Sequence, residues 1–480
     1  MRNIHVYLQS TELLFYLKSW HVHGISHPPP CRHRWPIVIP AIALPRRPLL
    51  RGCDGPVHPA RNVTSVQVQH SAGLHSPLVV RVAFPATGNQ LILEARITYI
   101  QTFHPSLQPP FSKLHPSPQC YTSTAPALPT RQTHPPSPPH PRSNLSQIGH
   151  AHGRAAASLV HGTIAFYAAL FAQTAKLTWA QVRSTALEFE TVMRKKWPAY
   201  LEEMTGLAEG AGVEVADVIA INVRTEINFG LFSDGCTALS WRTGEGEGEQ
   251  SLLAQNWDWM EEQRANLLYL TITQASKPSI SMITEAGLIG KIGLNSAGVG
   301  VCLNAIRAKG MDPTRLPCHL GLRMVLESAS RDEAVASLEK YGIASACHML
   351  IADGTGGVGV EWSYVDVQKL GMNGNGQVFH SNHYLLPHAG VKDTNWLSQD
   401  SGFRVERIEE ICKGMRKVDV ESVAGLFKDE KNYPAAICRK QEGDCQSATL
   451  FNIVMDLRNK RAKVAVGRPV EPVETFELGF

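Results

Sequence analysis

Residues 234–259, DGCTALSWRTGEGEGEQSLLAQNWDW, decide how this chain is read. Ahead of them the apolar residues recur at helical spacing. After Asp234-Gly235-Cys236 the spacing drops toward two, first in TALSW and again in LLAQNWDW, with the turn-forming run GEGEGE between them. Two alternating runs joined by Gly-rich punctuation read as a hairpin. Such a hairpin brings Asp258, at the end of the second run, back beside Cys236.

Working outward, the upstream part is helical. Residues 155–176 are Ala-rich and amphipathic, and Thr178-Trp-Ala-Gln181 has capping-box spacing before a periodic run that stops near Trp197-Pro198. LEEMTGLAEGAG and EVADVIAINVRTE continue the pattern. Downstream, LLYLTIT, SISMIT and GVGVCLNAI read as strands, LPCHLGLRMVLESAS and RDEAVASLEKYG as helices, and ACHMLIAD, GVGVEWSY and QVFHSNHY as strands again. Two late helices, FRVERIEEICKG and VESVAGLFKDE, precede a terminal strand pair in TLFNIVMDL and AKVAVGR. Strands and helices come in blocks, which predicts an α+β fold of stacked sheets between helix layers, not a βαβ wound sheet.

The first 146 residues have another texture. Of 31 prolines, 23 lie in residues 1–145, where thirteen Lys or Arg face only Glu12, Asp54 and Glu94. That stretch carries +10, and the remainder, with 33 basic and 39 acidic residues, carries −6. The basic pI therefore says nothing about the folded part. Runs such as HPPPCRHRWP and THPPSPPHPRS disfavour helix and remove backbone donors. We expect a disordered Pro/His/Arg-rich extension over 1–146, in which a short apolar patch such as Ser76–Phe84 can form a strand but nothing can bury a core, and a single domain over 147–480.

Several function classes are disfavoured. Scattered Arg and His among prolines are not the clustered patch of a nucleic-acid-binding module. Ten cysteines without a CxxC pair suggest neither a disulfide framework nor a zinc site, so no metal and a reducing, cytoplasmic setting are expected. No uncharged run approaches the roughly 18 residues of a membrane span, so no membrane partner is expected.

Cys236 sits at the helix-to-strand switch. Most free cysteines are small buried hydrophobes; a working one needs a thiolate, a base and donors for an oxyanion. Asp258, Asn382 in His380-Ser-Asn-His383, and Arg439 in Ile437-Cys-Arg439 could supply parts of such a site. Each alone is more often structural: a turn former, a strand-end cap, half of an ion pair.

Taken together and in order, IGHAHG, AINVRTEINFGL, DGCT, AQNWDW, ITEAGLIGKIGLNSAGVGV, VFHSNH, NYPAAICR and ATLFNIVMDL resemble the fungal acyl-coenzyme A:isopenicillin N (6-aminopenicillanate) acyltransferase family over residues 147–480. The resemblance implies a four-layer αββα N-terminal-nucleophile hydrolase that cuts itself between Gly235 and Cys236, leaving a heterodimer of the two pieces. Cys236 would be the nucleophile and its freed α-amino group the base, with a pKa of roughly 8 near working pH. Asp258 would hold that ammonium or polarise the scissile region, Asn382 would donate to the oxyanion, Arg439 and Ser345 would support the site, and Thr237, Cys445 and Gln446 would face substrate. The partners implied are a small-molecule acyl donor and an amine or water acceptor; acyl-coenzyme A would be a substrate, and no cofactor is implied.

Two departures stand out. Where penicillin-forming members have Ser-Arg, this chain has Cys445-Gln446, so one arginine is missing and β-lactam acyl transfer is placed in doubt. The strand that the family carries just before IGHAHG has no counterpart; PHPRSNLSQ stands there. A peroxisomal tripeptide found in family members is not evident in Leu478-Gly-Phe480. Alternatives are a plain amidase, a true penicillin-forming acyltransferase, and an unprocessed scaffold in which Cys236 stays buried and uncut.

Overall fold

The computed structural model describes residues 144–228, 235–244, 248–274, 276–391 and 398–480, together with the backbone of five strands in the first hundred residues. Those five are β1 (Ile4–Gln9), β2 (Glu12–Leu17), β3 (Ser65–Gln69), β4 (Leu78–Ala83) and β5 (Leu93–Tyr99). β1 and β2 form a hairpin in a separate unit, residues 1–60. Apart from these strands, the expectation for residues 1–146 lies outside the described residues up to Asn144.

The helical part runs α1 (Asn144–Ala155), α2 (Ala157–Thr174), α3 (Trp179–Lys196), α4 (Pro198–Ala211), α5 (Val215–Asn222) and α6 (Arg224–Asn228). The Thr178–Gln181 capping box forms as read: the Thr178 side chain accepts from Gln181 N, and the Gln181 side chain accepts from Thr178 N. Pro198 opens α4 at a position where its missing N–H costs nothing, and Gly212, at φ 69°, closes it. The IGHAHG stretch lies in α1, so a helix stands at the boundary of the expected extension. Its glycines let α1 meet α4 backbone to backbone: a Cβ on Gly149 would lie 1.8 Å from Glu203 O, and one on Gly206 would lie 2.1 Å from Ser146 O. No single helix among the described residues is long and apolar enough to cross a membrane.

From Thr237 onward the chain builds two antiparallel sheets. The smaller has the order β15 (Gln377–His380), β6 (Thr237–Thr243), β7 (Gln250–Trp259), β16 (Ala448–Asp456), β17 (Arg461–Val466), β18 (Glu474–Leu478). The larger contains β14 (Val367–Leu370), β13 (Gly356–Trp362), β12 (Cys347–Asp353), β11 (Gly300–Ala305), β10 (Ile292–Asn295), β9 (Ile280–Glu285) and β8 (Leu267–Ile272), followed by β5, β4 and β3. β5 pairs with β8 from Arg96↔Thr271 to Tyr99↔Leu268. The position beside β8 is thus taken by a segment some fifty residues ahead of IGHAHG, not by the residues just before it.

Period-two alternation sends one face of each inner strand to each neighbour. Leu239, Trp241, Leu252, Ala254 and Val454 pack against Ile408 and Cys412 of α9 (Ser398–Lys413) and Val423 and Leu426 of α10 (Val420–Leu426). Ala238, Leu253, Ile453 and Met455 join the other core, which includes the larger sheet; Gly300 of β11 is small enough to sit against Leu253 and Met455. On the far side of that sheet lie α7 (Cys318–Leu326) and α8 (Arg331–Tyr341), Gly321 of α7 resting on Met349 and Leu338. Arg323 pins α7 to α4 through two 2.8 Å bonds to Glu203, a buried bidentate pair. The layers are helix, sheet, sheet, helix, as expected.

Candidate active site

The predicted hairpin forms, with Thr237 opposite Asn256, and it places Cys236 and Asp258 together at one end of the sandwich. The Cys236 sulfur is fully buried, 3.5 Å from Asp258 N and 3.8 Å from Asp258 O. Cys302 of β11 is a second buried thiol beside it; burial and the Cys236 charge push the Cys302 pKa well above the thiol range. The preceding residue, Gly235, lies directly against the Arg439 guanidinium.

Asp258 faces away from the other sheet, toward the segment that leads into β16. Its Oδ1 accepts from Thr449 Oγ1 at 2.7 Å, and its Oδ2 lies 3.6 Å from Arg439 Nε. Burial dominates, raising its carboxyl to about 7 against the pull of Arg439 and Arg404. Arg439 also pairs with Asp400, and its Nη1 donates to Cys445 Sγ at 3.2 Å. Burial disfavours its charge, but Asp400 and Asp258 outweigh this and raise its pKa.

Asn382 follows β15 and is buried. Its Nδ2 donates to Ala305 O at 3.0 Å, and its Oδ1 accepts from Arg404 Nη2 at 3.0 Å. Arg404 Nη1 in turn donates to the Cys236 carbonyl at 2.6 Å and to Thr237 Oγ1 at 3.1 Å. The Cys236 carbonyl has a second donor, Asn304 Nδ2 at 3.2 Å. Asn304 is oriented by His348, whose Nδ1–H donates to its Oδ1 at 3.0 Å. Burial, with the charge of the stacked His380, holds His348 well below the imidazole range and therefore neutral.

The structure thus gathers Gly235, Cys236, Thr237, Asp258, Asn382, Arg439 and Cys445 into one buried cluster. The Ser345 hydroxyl is taken by another partner: it donates to Glu226 Oε1 at 2.8 Å, and no hydrogen bond among the described residues joins it to Cys236, Asp258, Asn382 or Arg439. Gln446 is exposed, its amide within 3.5 Å of Asp444 O. Sequence reasoning missed Arg404, Asn304, Thr449 and Asp400. Two of them carried a signal. Arg404 shares the buried face of α9 with Ser401, Ile408 and Cys412, a charge where the helical period calls for an apolar residue. Asn304 continues the inward-facing series Gly300, Cys302 of β11 with a polar side chain. Among the described residues, no group of three or more His, Cys, Asp or Glu is placed to hold a metal ion.

A buried cysteine heading an inner strand of a four-layer sandwich, ringed by a carboxyl, two guanidiniums and two amides, defines the class: an acyltransferase or amidohydrolase of the N-terminal-nucleophile fold. Comparison with known proteins then places it. The chain belongs to the acyl-coenzyme A:6-aminopenicillanic acid acyl-transferase family, whose model matches residues 242–471. It is 41% identical over 340 residues to the acyl-coenzyme A:6-aminopenicillanic-acid-acyltransferase 40 kDa form of Emericella nidulans, covering 70% of this chain and 94% of that protein. Solved structures it resembles include penicillin V acylase from Agrobacterium tumefaciens, at 17% identity over 51% of this chain and 86% of that one with a TM-score of 0.35. Another is a mutant of the conjugated bile acid hydrolase from Clostridium perfringens, at 13% identity over 51% and 92% with a TM-score of 0.38.

Proposed function

We propose that the chain cuts itself between Gly235 and Cys236, and that Cys236 then carries acyl groups as an S-acyl intermediate. The observation that carries this reading is the placement of Cys236: it heads β6 with its sulfur against the Asp258 backbone and its carbonyl held by two donors. In the cut, the sulfur attacks the Gly235 carbonyl, the bond to the Cys236 nitrogen breaks, and that nitrogen leaves as a free amine. Water then hydrolyses the thioester. In turnover, the new α-amino group takes the thiol proton, the sulfur attacks the acyl carbonyl of a thioester or amide, and the donor's thiol or amine departs with that proton. Asn382 Nδ2 stabilises the oxyanion, and Asp258 offsets the charge of the α-ammonium. Water or an amine then takes the acyl group.

Hydrolysis of N-acyl amides and acyl thioesters is the favoured outcome. Gln446 in place of an arginine leaves a carboxylate-bearing acceptor such as 6-aminopenicillanate without one charged partner, about 1 kcal/mol of binding for a pair at an exposed position. Intact-mass measurement tests the core of the reading. The purified chain should appear as two pieces split before Cys236, and Cys236→Ala as one. With a phenylacetyl thioester, the piece beginning at Cys236 should gain one phenylacetyl group. An uncut wild-type chain with full amidase activity would refute the mechanism.

A further inference from the structure

We propose that Arg404 is a positioning residue, locking the Asn382 amide in its working orientation and tying it to the backbone of the nucleophile; this rests on the reading of Cys236 as nucleophile and Asn382 as oxyanion donor. Arg404 is fully buried on the inward face of α9. A guanidinium has five donors and no acceptor. The end of the Asn382 amide that meets Nη2, 3.0 Å away, is therefore the oxygen, and Nδ2 is turned away from Arg404. One Nδ2 proton goes to Ala305 O. On its other arm, Nη1 reaches the Cys236 carbonyl at 2.6 Å and the Thr237 hydroxyl at 3.1 Å. One rigid plane thus spans the two groups whose separation must match a tetrahedral intermediate: the main chain of the attacking residue and the donor to its oxyanion.

The neighbouring amide is handled alike. Asn304 reaches the same carbonyl from a second direction, at 3.2 Å, and its own oxygen is fixed by the Nδ1–H of neutral His348. Each amide is oriented by a group that offers it a proton. Holding Arg404 next to Arg439 is unfavourable in itself: burial and the Arg439 charge both lower the Arg404 pKa. Asp400, 3.6 Å from Nε, and Asp258 oppose that repulsion. A lysine would keep the charge but lose the planar fork, because an ammonium cannot present two donors in fixed directions.

Arg404→Lys is therefore the informative variant. With a phenylacetyl thioester its kcat should fall about 10²- to 10³-fold, the loss typical of one oxyanion donor, while KM stays near the wild-type value. Self-cleavage should slow in parallel, with the melting temperature little changed. In an Asn382→Ala background the same substitution should cost no more than about twofold further, within the error of independent effects, since the group it positions is already gone. A residue that merely supported the fold would instead give losses that multiply. Wild-type kcat in Arg404→Lys, or multiplicative losses in the double variant, would overturn the proposal. Should Arg404→Lys fail to fold, the wild-type enzyme decides by itself. In a crystal structure of Cys236 trapped by phenylacetaldehyde as the hemithioacetal, Asn382 Nδ2 should bond the former carbonyl oxygen with Arg404 still on Oδ1. Direct contact of the guanidinium with that oxygen, or a reversed amide, overturns the assignment. A wild-type chain that neither cuts itself nor accepts an acyl group would fail earlier, at the reading of Cys236.

Discussion

The Arg439 guanidinium lies so close to Gly235 that a Cβ on that residue would stand 2.2 Å from Nε and 2.6 Å from Cζ. Arg439 cannot easily retreat, since Asp400, Asp258 and Cys445 hold it on other sides. Gly235→Ala should therefore push the scissile peptide out of register, costing about 1–3 kcal/mol as overpacking does and slowing cleavage at least about tenfold. A time course on a denaturing gel reads this directly. Cutting at the wild-type rate would show that the guanidinium yields.

Asp258 makes the stability of the uncut chain depend on pH in a stated direction. Its carboxyl is raised from 3.8 to about 7, so the folded chain binds that proton more tightly than the unfolded chain. Ionising it costs stability as pH rises from about 4 to about 7, and the cost is complete above that. Asp258→Asn, compared with Asp258 in an uncut Cys236→Ala background, should gain stability across this window, by a few kcal/mol in order of magnitude at pH 8. Thermal unfolding at a series of pH values checks it, and an offset that does not vary with pH would exclude Asp258 as the source.

The crossing of α1 and α4 needs bare glycine. A Cβ on Gly153 would lie 2.0 Å from Leu207 O, and one on Gly149 would lie 1.8 Å from Glu203 O, both backbone atoms. Gly149→Ala should cost about 1–3 kcal/mol. In contrast, Gly425 in α10 has nothing within 4 Å of the added atom, and Gly425→Ala should be neutral or stabilising by up to about 1 kcal/mol through helix propensity. Equal effects in thermal unfolding would contradict the packing described.

Gln446 is exposed at the rim of the cluster, next in sequence to Cys445, which touches Arg439. Gln446→Arg should shift the partition of a phenylacetyl thioester from hydrolysis toward transfer to 6-aminopenicillanate. The gain should be about threefold to tenfold, shrinking with added salt as an exposed charge requires. Equal partition ratios in the two proteins would place Gln446 outside the acceptor site.

From residue 155 on, the sequence by itself determined most of the order of helices and strands, though not β10, β14 or the last strand β18, because each signal is local: the Thr178 capping box, Pro198 and Gly212 at the ends of α4, and the change of period after Cys236. It also singled out Cys236, Asp258, Asn382 and Arg439, since the hairpin and the ordered motifs placed them without knowledge of the sheets. Only the tertiary structure decided what stands around them. Arg404 is 168 residues from Cys236, Asn304 is 68 and Thr449 is 191 from Asp258. Contacts at that separation depend on which strands are neighbours and on which face of α9 turns inward, and neither is written in a local pattern. The same reason accounts for Ser345 and for the strand beside β8. A hydroxyl in an apolar stretch such as Ile343-Ala344-Ser345-Ala346 must find a partner but carries no mark of which one it will meet, and an edge of a sheet accepts any extended segment whose backbone can reach it, however distant in sequence.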